Sequence, residues 1–220
     1  RQSPYLNIYA YPEELDYHEI APRPEKVLQI DAFSRYNPEP YEMSEELKAK
    51  IKPGDKLVYI SMGSMGSIDV DLMKRITDAL KDTPHKYIVS KGLLADEYDL
   101  PENMWGEGYL PQTSILPLVD LVITHGGNNS TTETICAGKP MIVMPLFADQ
   151  FDNAQRVQEK GLGVRIEPYQ FEPNQLIEAV NRLLMDKAIC LKAEQVAKRI
   201  AQDNSKQQAC LAIEELAFKH

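Results

Sequence analysis

The chain has 220 residues, enough for one large domain or two small ones. Its formal net charge of −9 argues against general nucleic-acid or membrane-surface binding. Three widely spaced cysteines, Cys136, Cys190 and Cys210, match neither a metal spacing nor a disulfide framework, and no apolar run nears the ~20 residues of a membrane span, so a reduced, cytoplasmic protein without a secretory leader is expected.

From Arg1 to about Pro53 there is no clean periodicity. Pro4, Pro12, Pro22, Pro24, Pro38 and Pro40 alternate with tyrosines, including Tyr9, Tyr11, Tyr17 and Tyr36, as in an extended chain packed over a domain. A short strand fits Leu6–Tyr9, and opening on a strand leads us to expect further sequence before Arg1. Ser44–Lys50 reads as a short helix with a serine cap and an acidic first turn.

Leu57–Met62 is an apolar run with the character of a buried strand. The loop Gly63–Ser67 follows, then a helix from about Asp69, a corner suited to phosphate. It lacks the Gly-Lys-Ser/Thr ending of a Walker loop and the third glycine of the dinucleotide fingerprint. Asp69-Val70-Asp71 is read as helix capping rather than metal binding, because carboxylates favour the positive end of a helix and no further ligand is placed nearby by the sequence. No metal is expected. Leu72–Leu80 has helical spacing, Lys86–Ser90 is a second strand, Lys91–Asn103 a loop, and Met104–Gly108 a short strand. Thr113 is expected to cap a helical turn that ends at Pro117.

Two more apolar runs, Leu121–Thr124 and Met141–Pro145, flank a helical segment, Asn129–Ala137. This is strand, turn, helix, strand: the parallel crossover unit. Gly126 and Gly127 let the backbone approach a ligand, and Asn128, Asn129 and Ser130 are cap-type residues at a helix start, whose free N–H groups suit a phosphate. His125 stands at the strand's carboxyl end, where open α/β sheets bind ligands. Glu133, one turn into the helix, suits a ribose, and Asp149 with Gln150 suits sugar hydroxyls in the same crevice. Asn128–Thr131 also holds two overlapping glycosylation sequons, read as chance. Helices are then expected over Phe151–Lys160, stopped by Gly161, over Pro173–Leu184, Lys187–Ala201 and Gln207–Lys219, with a short strand at Gly163–Ile166. In the last helix Ala209, Leu211, Ala212 and Leu216 are expected to face the core. The alternation predicts a Rossmann-like, doubly wound parallel sheet.

Tyr-Leu-Pro-Gln at 109–112, Ile-Thr-His-Gly-Gly-Asn-Asn-Ser-Thr-Thr-Glu at 123–133, Gly-Lys-Pro-Met at 138–141 and Ala-Asp-Gln-Phe-Asp-Asn at 148–153 resemble the donor-binding signature of UDP-glycosyltransferases, and the spacing of all four blocks matches. The resemblance implies the carboxyl-terminal half of a two-domain GT-B fold: an interdomain linker and amino-terminal remnant at 1–53, a donor-binding domain at 54–205 and a carboxyl-terminal helix at 206–220. It implies that Tyr109 and Gln112 flank the uracil, with Leu110 beside them. His125 and Asn129-Ser130 would hold the pyrophosphate, together with Gly127 and Asn128. Glu133 would hold the ribose, and Asp149 with Gln150 the sugar. Gly63 and Ser64 are secondary candidates. Plant members usually carry Trp where Tyr109 and Asn128 stand, though Tyr also stacks on a base.

The activity implied is inverting transfer of a hexose, with glucose favoured by Gln150, from a UDP-sugar co-substrate to a small lipophilic acceptor. There would be no other cofactor. The family's general-base histidine and its aspartate partner lie in the other domain, so this chain is expected to bind donor and turn over little. Its charged end is unlike the membrane anchor of many animal members. A nucleotide-dependent oxidoreductase and a non-catalytic binding module are the alternatives; the missing glycine fingerprint counts against the first.

Overall fold

A computed structural model describes residues 3–32 and 40–219. Tyr36 and Pro38, part of the proline- and tyrosine-rich stretch, lie outside the described residues. Strands β1 (Asn7–Ala10) and β2 (Val27–Ile30) pair in parallel. The first was expected one residue earlier; the second lies within the stretch read as irregular. Helix α1 (Glu45–Lys50) follows, with the Ser44 side chain accepting from Leu47 N–H as its cap.

The main sheet is built from β3 (Leu57–Ser61), β4 (Lys86–Ser90), β5 (Met104–Glu107), β6 (Leu121–Thr124), β7 (Met141–Val143) and β8 (Gly163–Arg165). All of its pairings are parallel, in the order β5-β4-β3-β6-β7-β8. Counted from β3, this is the 3-2-1-4-5-6 order of a doubly wound sheet. The order reverses between β3 and β6.

Between the strands run α2 (Gly63–Gly66), α3 (Val70–Leu80), α4 (Gln112–Ile115), α5 (Asn128–Cys136) and α6 (Gln150–Glu159), followed by α7 (Pro173–Met185), α8 (Lys187–Ala201) and α9 (Ser205–Lys219). Alternate residues of each strand feed opposite layers. Val58, Ile60, Leu121 and Ile123 pack with the apolar faces of α3 and α7. Leu57, Tyr59 and Val122 join Ala154 and Val157 of α6 and Val196 of α8 on the other side.

Several local expectations are revised. Gly63–Gly66 forms a helical turn rather than a loop. Thr113 lies inside α4, which has Pro111 at its N-cap and no side-chain cap, and Pro117 sits within a 3-10 turn, Leu116–Leu118, rather than ending the helical segment. That placement is allowed because the first turn of a helix needs no intrahelical N–H donor. Helix α5 starts one residue early, with Gly127 as N-cap and no capping side chain, so the Asn and Ser residues are not spent on caps. Leu211 of α9 is 53% exposed, outside the expected buried stripe, whereas Ala209 is buried. Asp69 caps α3, accepting from Leu72 N–H at 3.0 Å, and its other oxygen accepts from the Tyr169 hydroxyl at 3.1 Å.

Candidate nucleotide-binding site

A cavity of about 600 Å³ opens at the carboxyl ends of β3, β4, β5 and β6, across the point where strand order reverses. Open α/β sheets leave a crevice there because the chain departs to opposite faces of the sheet after the two central strands. His125, directly after β6, leans against the start of α2 after β3. Gly63 has φ +68°, and a Cβ there would meet His125 Cε1 at 2.6 Å; one on Gly127 would meet Nε2 at 2.6 Å. The imidazole is therefore wedged between two backbone segments that only a side chain as small as hydrogen leaves open. Burial lowers its pKa from the ordinary 6.5, opposed by a backbone hydrogen bond with Ser61 and by the charge of Asp149.

His125 is therefore a neutral imidazole at pH 7. A histidine neutral in the folded protein binds its proton more readily when unfolded. It costs no stability above pH 6.5 and destabilises as pH falls below it. A proton NMR titration of the ring should give a midpoint below 6.5.

The Gly126–Gly127 turn brings the amino end of α5 to the same opening. Gly126 has φ +84°, and the first helical bond runs from Thr131 N–H to Gly127 O at 2.9 Å. The N–H groups of Asn128, Asn129 and Ser130 precede that bond and have no partner within the helix, leaving a site of positive potential. Tyr109, on the rim, is 80% exposed, a free aromatic face. Beneath it Tyr59 is buried, and desolvation pushes its phenol up to about 12, so it remains protonated.

Of the residues expected to meet a donor, Gly63, Ser64, Tyr109, Leu110, Gln112, His125, Gly127, Asn128, Asn129 and Ser130 all line this cavity. Glu133 is buried behind it, and Gln112 Nε2 donates to its Oε2 at 2.6 Å. The remaining two depart from expectation. Asp149 lines a second cavity, of about 510 Å³, which touches the first at Asn128. Gln150 is buried with its Oε1 accepting from Leu146 N–H (2.8 Å) and Phe147 N–H (3.2 Å), so its carbonyl end holds the loop after β7. A helix-start amide close to unpaired backbone N–H groups is readily taken up by them.

The sequence reading passed over Ser61 and Ser90, two strand-end hydroxyls in the cavity wall, although the strand-end rule that singled out His125 applies equally to them. It also passed over Asn153, which is 3% exposed and donates to Gly126 O at 2.8 Å and Asn128 Oδ1 at 2.9 Å. Its position one helical turn after Asp149 was the available signal.

The sheet and its flanking helices have the architecture of one half of a GT-B fold, and solved structures share it. The glycosyltransferase of kitacinnamycin covers 96% of this chain with a TM-score of 0.83 at 22% identity, over 55% of its own length. CalG4, the calicheamicin glycosyltransferase, covers 99% with a TM-score of 0.75 at 24% identity, over 53% of its own length. The profile of the family described as UDP-glucoronosyl and UDP-glucosyl transferase matches residues 14–203, and the chain belongs to that family. Among relatives, a sterol 3-beta-glucosyltransferase of Vanderwaltozyma polyspora is 32% identical over 181 residues, 76% of this chain and 15% of the relative. The NDP-glycosyltransferase YjiC of Bacillus subtilis is 30% identical over 188 residues, 84% of this chain and 48% of the relative. The chain thus spans less than half the length of these relatives.

Proposed function

We propose that the cavity at the strand-order reversal binds the nucleoside diphosphate of a UDP-sugar, and that the chain is the donor-binding part of an inverting glycosyltransferase. The observation that carries this reading is the neutral His125 ring, wedged between Gly63 and Gly127 beside the uncapped amino end of α5. Tyr109 would stack on the uracil, Glu133 would accept from the ribose, and α5 with His125 would hold the diphosphate. A spinosyn rhamnosyltransferase of like fold, at 21% identity and a TM-score of 0.70, was solved with thymidine diphosphate, which supports a diphosphate on this scaffold.

In the proposed reaction an acceptor hydroxyl displaces UDP at the anomeric carbon. Negative charge builds on the leaving diphosphate, and dipoles already aimed there stabilise it as it develops. Neutral donors would do this without a resident metal. Asp149 would meet the sugar, a hexose and glucose in the simplest case, from the adjoining cavity. The acceptor proposed, a small lipophilic hydroxyl compound, is the one the family resemblance implies. With the general base assigned to the other half of such enzymes, the chain by itself is expected to bind donor and turn over little.

Calorimetry with UDP, UDP-glucose and NAD tests the reading. The first two should bind and NAD should not. His125→Ala and Glu133→Gln should each weaken UDP by about tenfold, the scale of one hydrogen bond to a charged group, with the melting temperature nearly unchanged. Wild-type affinity in both variants would remove the nucleotide from this pocket.

A further inference from the structure

Strands β4 and β5 pair with Ser90 opposite Glu107, and the ladder runs on past β4, where Lys91 N–H donates to Glu107 O at 2.8 Å. The two chains then leave the sheet pressed together. Gly92 has φ +76°, and a Cβ there would meet Ser67 Oγ at 2.0 Å; a Cβ on Gly108 would lie 3.0 Å from Gly92 O. Glycine at both points lets the loop after β4 and the loop after β5 approach backbone to backbone. The next residue is Leu93 on one side and Tyr109 on the other. Both line the first cavity, and they are 86% and 80% exposed.

An exposed leucine alone carries no meaning, since much of any protein surface is apolar. Its setting gives this one meaning. The loop that carries Leu93 is tied down, because Lys91 Nζ donates to Tyr98 O at 2.7 Å and lies 4.7 Å from the Tyr98 ring centroid, and Tyr98 is buried. Leu93 is thus an apolar residue held at the cavity wall, one residue beyond the glycine contact that joins its loop to that of Tyr109. Leu94, the next residue, does not line that cavity.

We infer that Leu93 is a second base-contacting residue: it covers the face of the uracil ring that Tyr109 leaves open, so that the base is held between an aromatic and an aliphatic wall. The inference rests on the donor reading above and adds a residue to it. A flat ring stacked on one side keeps its other face in water. Closing that face buries apolar area without any directional requirement. Leu93 therefore contributes affinity for the nucleoside and none for the phosphates.

The test compares UDP, uridine and inorganic pyrophosphate on the 220-residue chain, the first by calorimetry and the other two by NMR titration. Leu93→Ala should weaken UDP and uridine alike by about fivefold, the scale of one buried methylene group or slightly more, and leave pyrophosphate unchanged. Leu93→Met keeps the apolar reach and should retain most of the affinity. Because Leu93 is exposed, both variants should melt as the wild type does. Leu94→Ala, the control, should bind all three ligands as the wild type does. Unchanged UDP affinity in Leu93→Ala, a loss shared by pyrophosphate, or an equal loss in Leu94→Ala would each overturn the inference and leave the donor reading standing. Failure of the wild-type chain to bind UDP at all would overturn the donor reading and this inference with it.

Discussion

Gly63→Ala should abolish most UDP binding while leaving a folded protein. The residue sits at φ +68°, a left-handed conformation that costs an L side chain about 1–2 kcal/mol. Its new methyl would also lie 2.6 Å from His125 Cε1 and 2.7 Å from Nε2. The ring cannot retreat, since Gly127 approaches Nε2 closely as well. It must turn out of the wedge, and the loss of affinity should be on the order of a hundredfold, the scale set by a misplacement of about 1 Å in a preorganised site. Gly54→Ala separates the two effects. Gly54 has φ +93° with nothing within 4 Å, so its alanine carries similar backbone strain without the collision. It should lower the melting temperature comparably and keep wild-type affinity. Calorimetry of the two variants decides the matter: equal affinities would mean that the His125 wedge plays no part in binding.

The strands that build this site were readable because they are buried on both faces and appear as unbroken apolar runs ending in glycine or polar residues. Gly63, His125 and Gly127 all follow such endings, which is why the cavity could be drawn from sequence. The β1–β2 pair was only half visible. Val27–Ile30 is four residues long and follows Pro22 and Pro24, so neither length nor alternation marks it; parallel pairing with Asn7–Ala10 provides the partner that local pattern cannot.

Side-chain direction was harder to read than position. Gln150 and Asp149 are adjacent in sequence, yet one is turned inward by two backbone N–H groups and the other opens on the neighbouring cavity. Asn153 belongs to the same motif, and its partners come from residues 11, 126 and 128. No periodicity encodes a contact between α6 and a segment 142 residues earlier. Gly63–Ser67 was read as a loop; glycine disfavours helix by about 1 kcal/mol, yet a single turn, Gly63–Gly66, forms between the strand end and α3.

Phe171 illustrates the same limit and carries the largest expected effect on stability. It stands in the loop before α7, outside any periodic segment, yet is fully buried among Leu72, Ile76 and Leu176 in the layer that α3 and α7 form over the sheet. The Arg75 guanidinium lies 4.7 Å from its ring centroid and donates to Tyr169 O at 2.6 Å and Phe171 O at 2.5 Å, closing the loop over α3. Phe171→Ala removes a large side chain from a site bounded by two helices and the sheet, where collapse is limited, so the loss should be about 3–5 kcal/mol. For a chain of this size that corresponds to a drop of roughly 6–20 °C in melting temperature. Arg75→Met keeps the aliphatic stem and should cost less, about 1–2 kcal/mol, by removing the cation–π contact and the loop hydrogen bonds. Because Phe171 lines neither of the two larger cavities, UDP affinity measured well below the melting transition should be unchanged in the alanine variant. A loss of affinity in step with the loss of stability would show that the α3–α7 layer and the proposed nucleotide site respond as one unit. Calorimetry at two temperatures, paired with thermal melts, separates these outcomes.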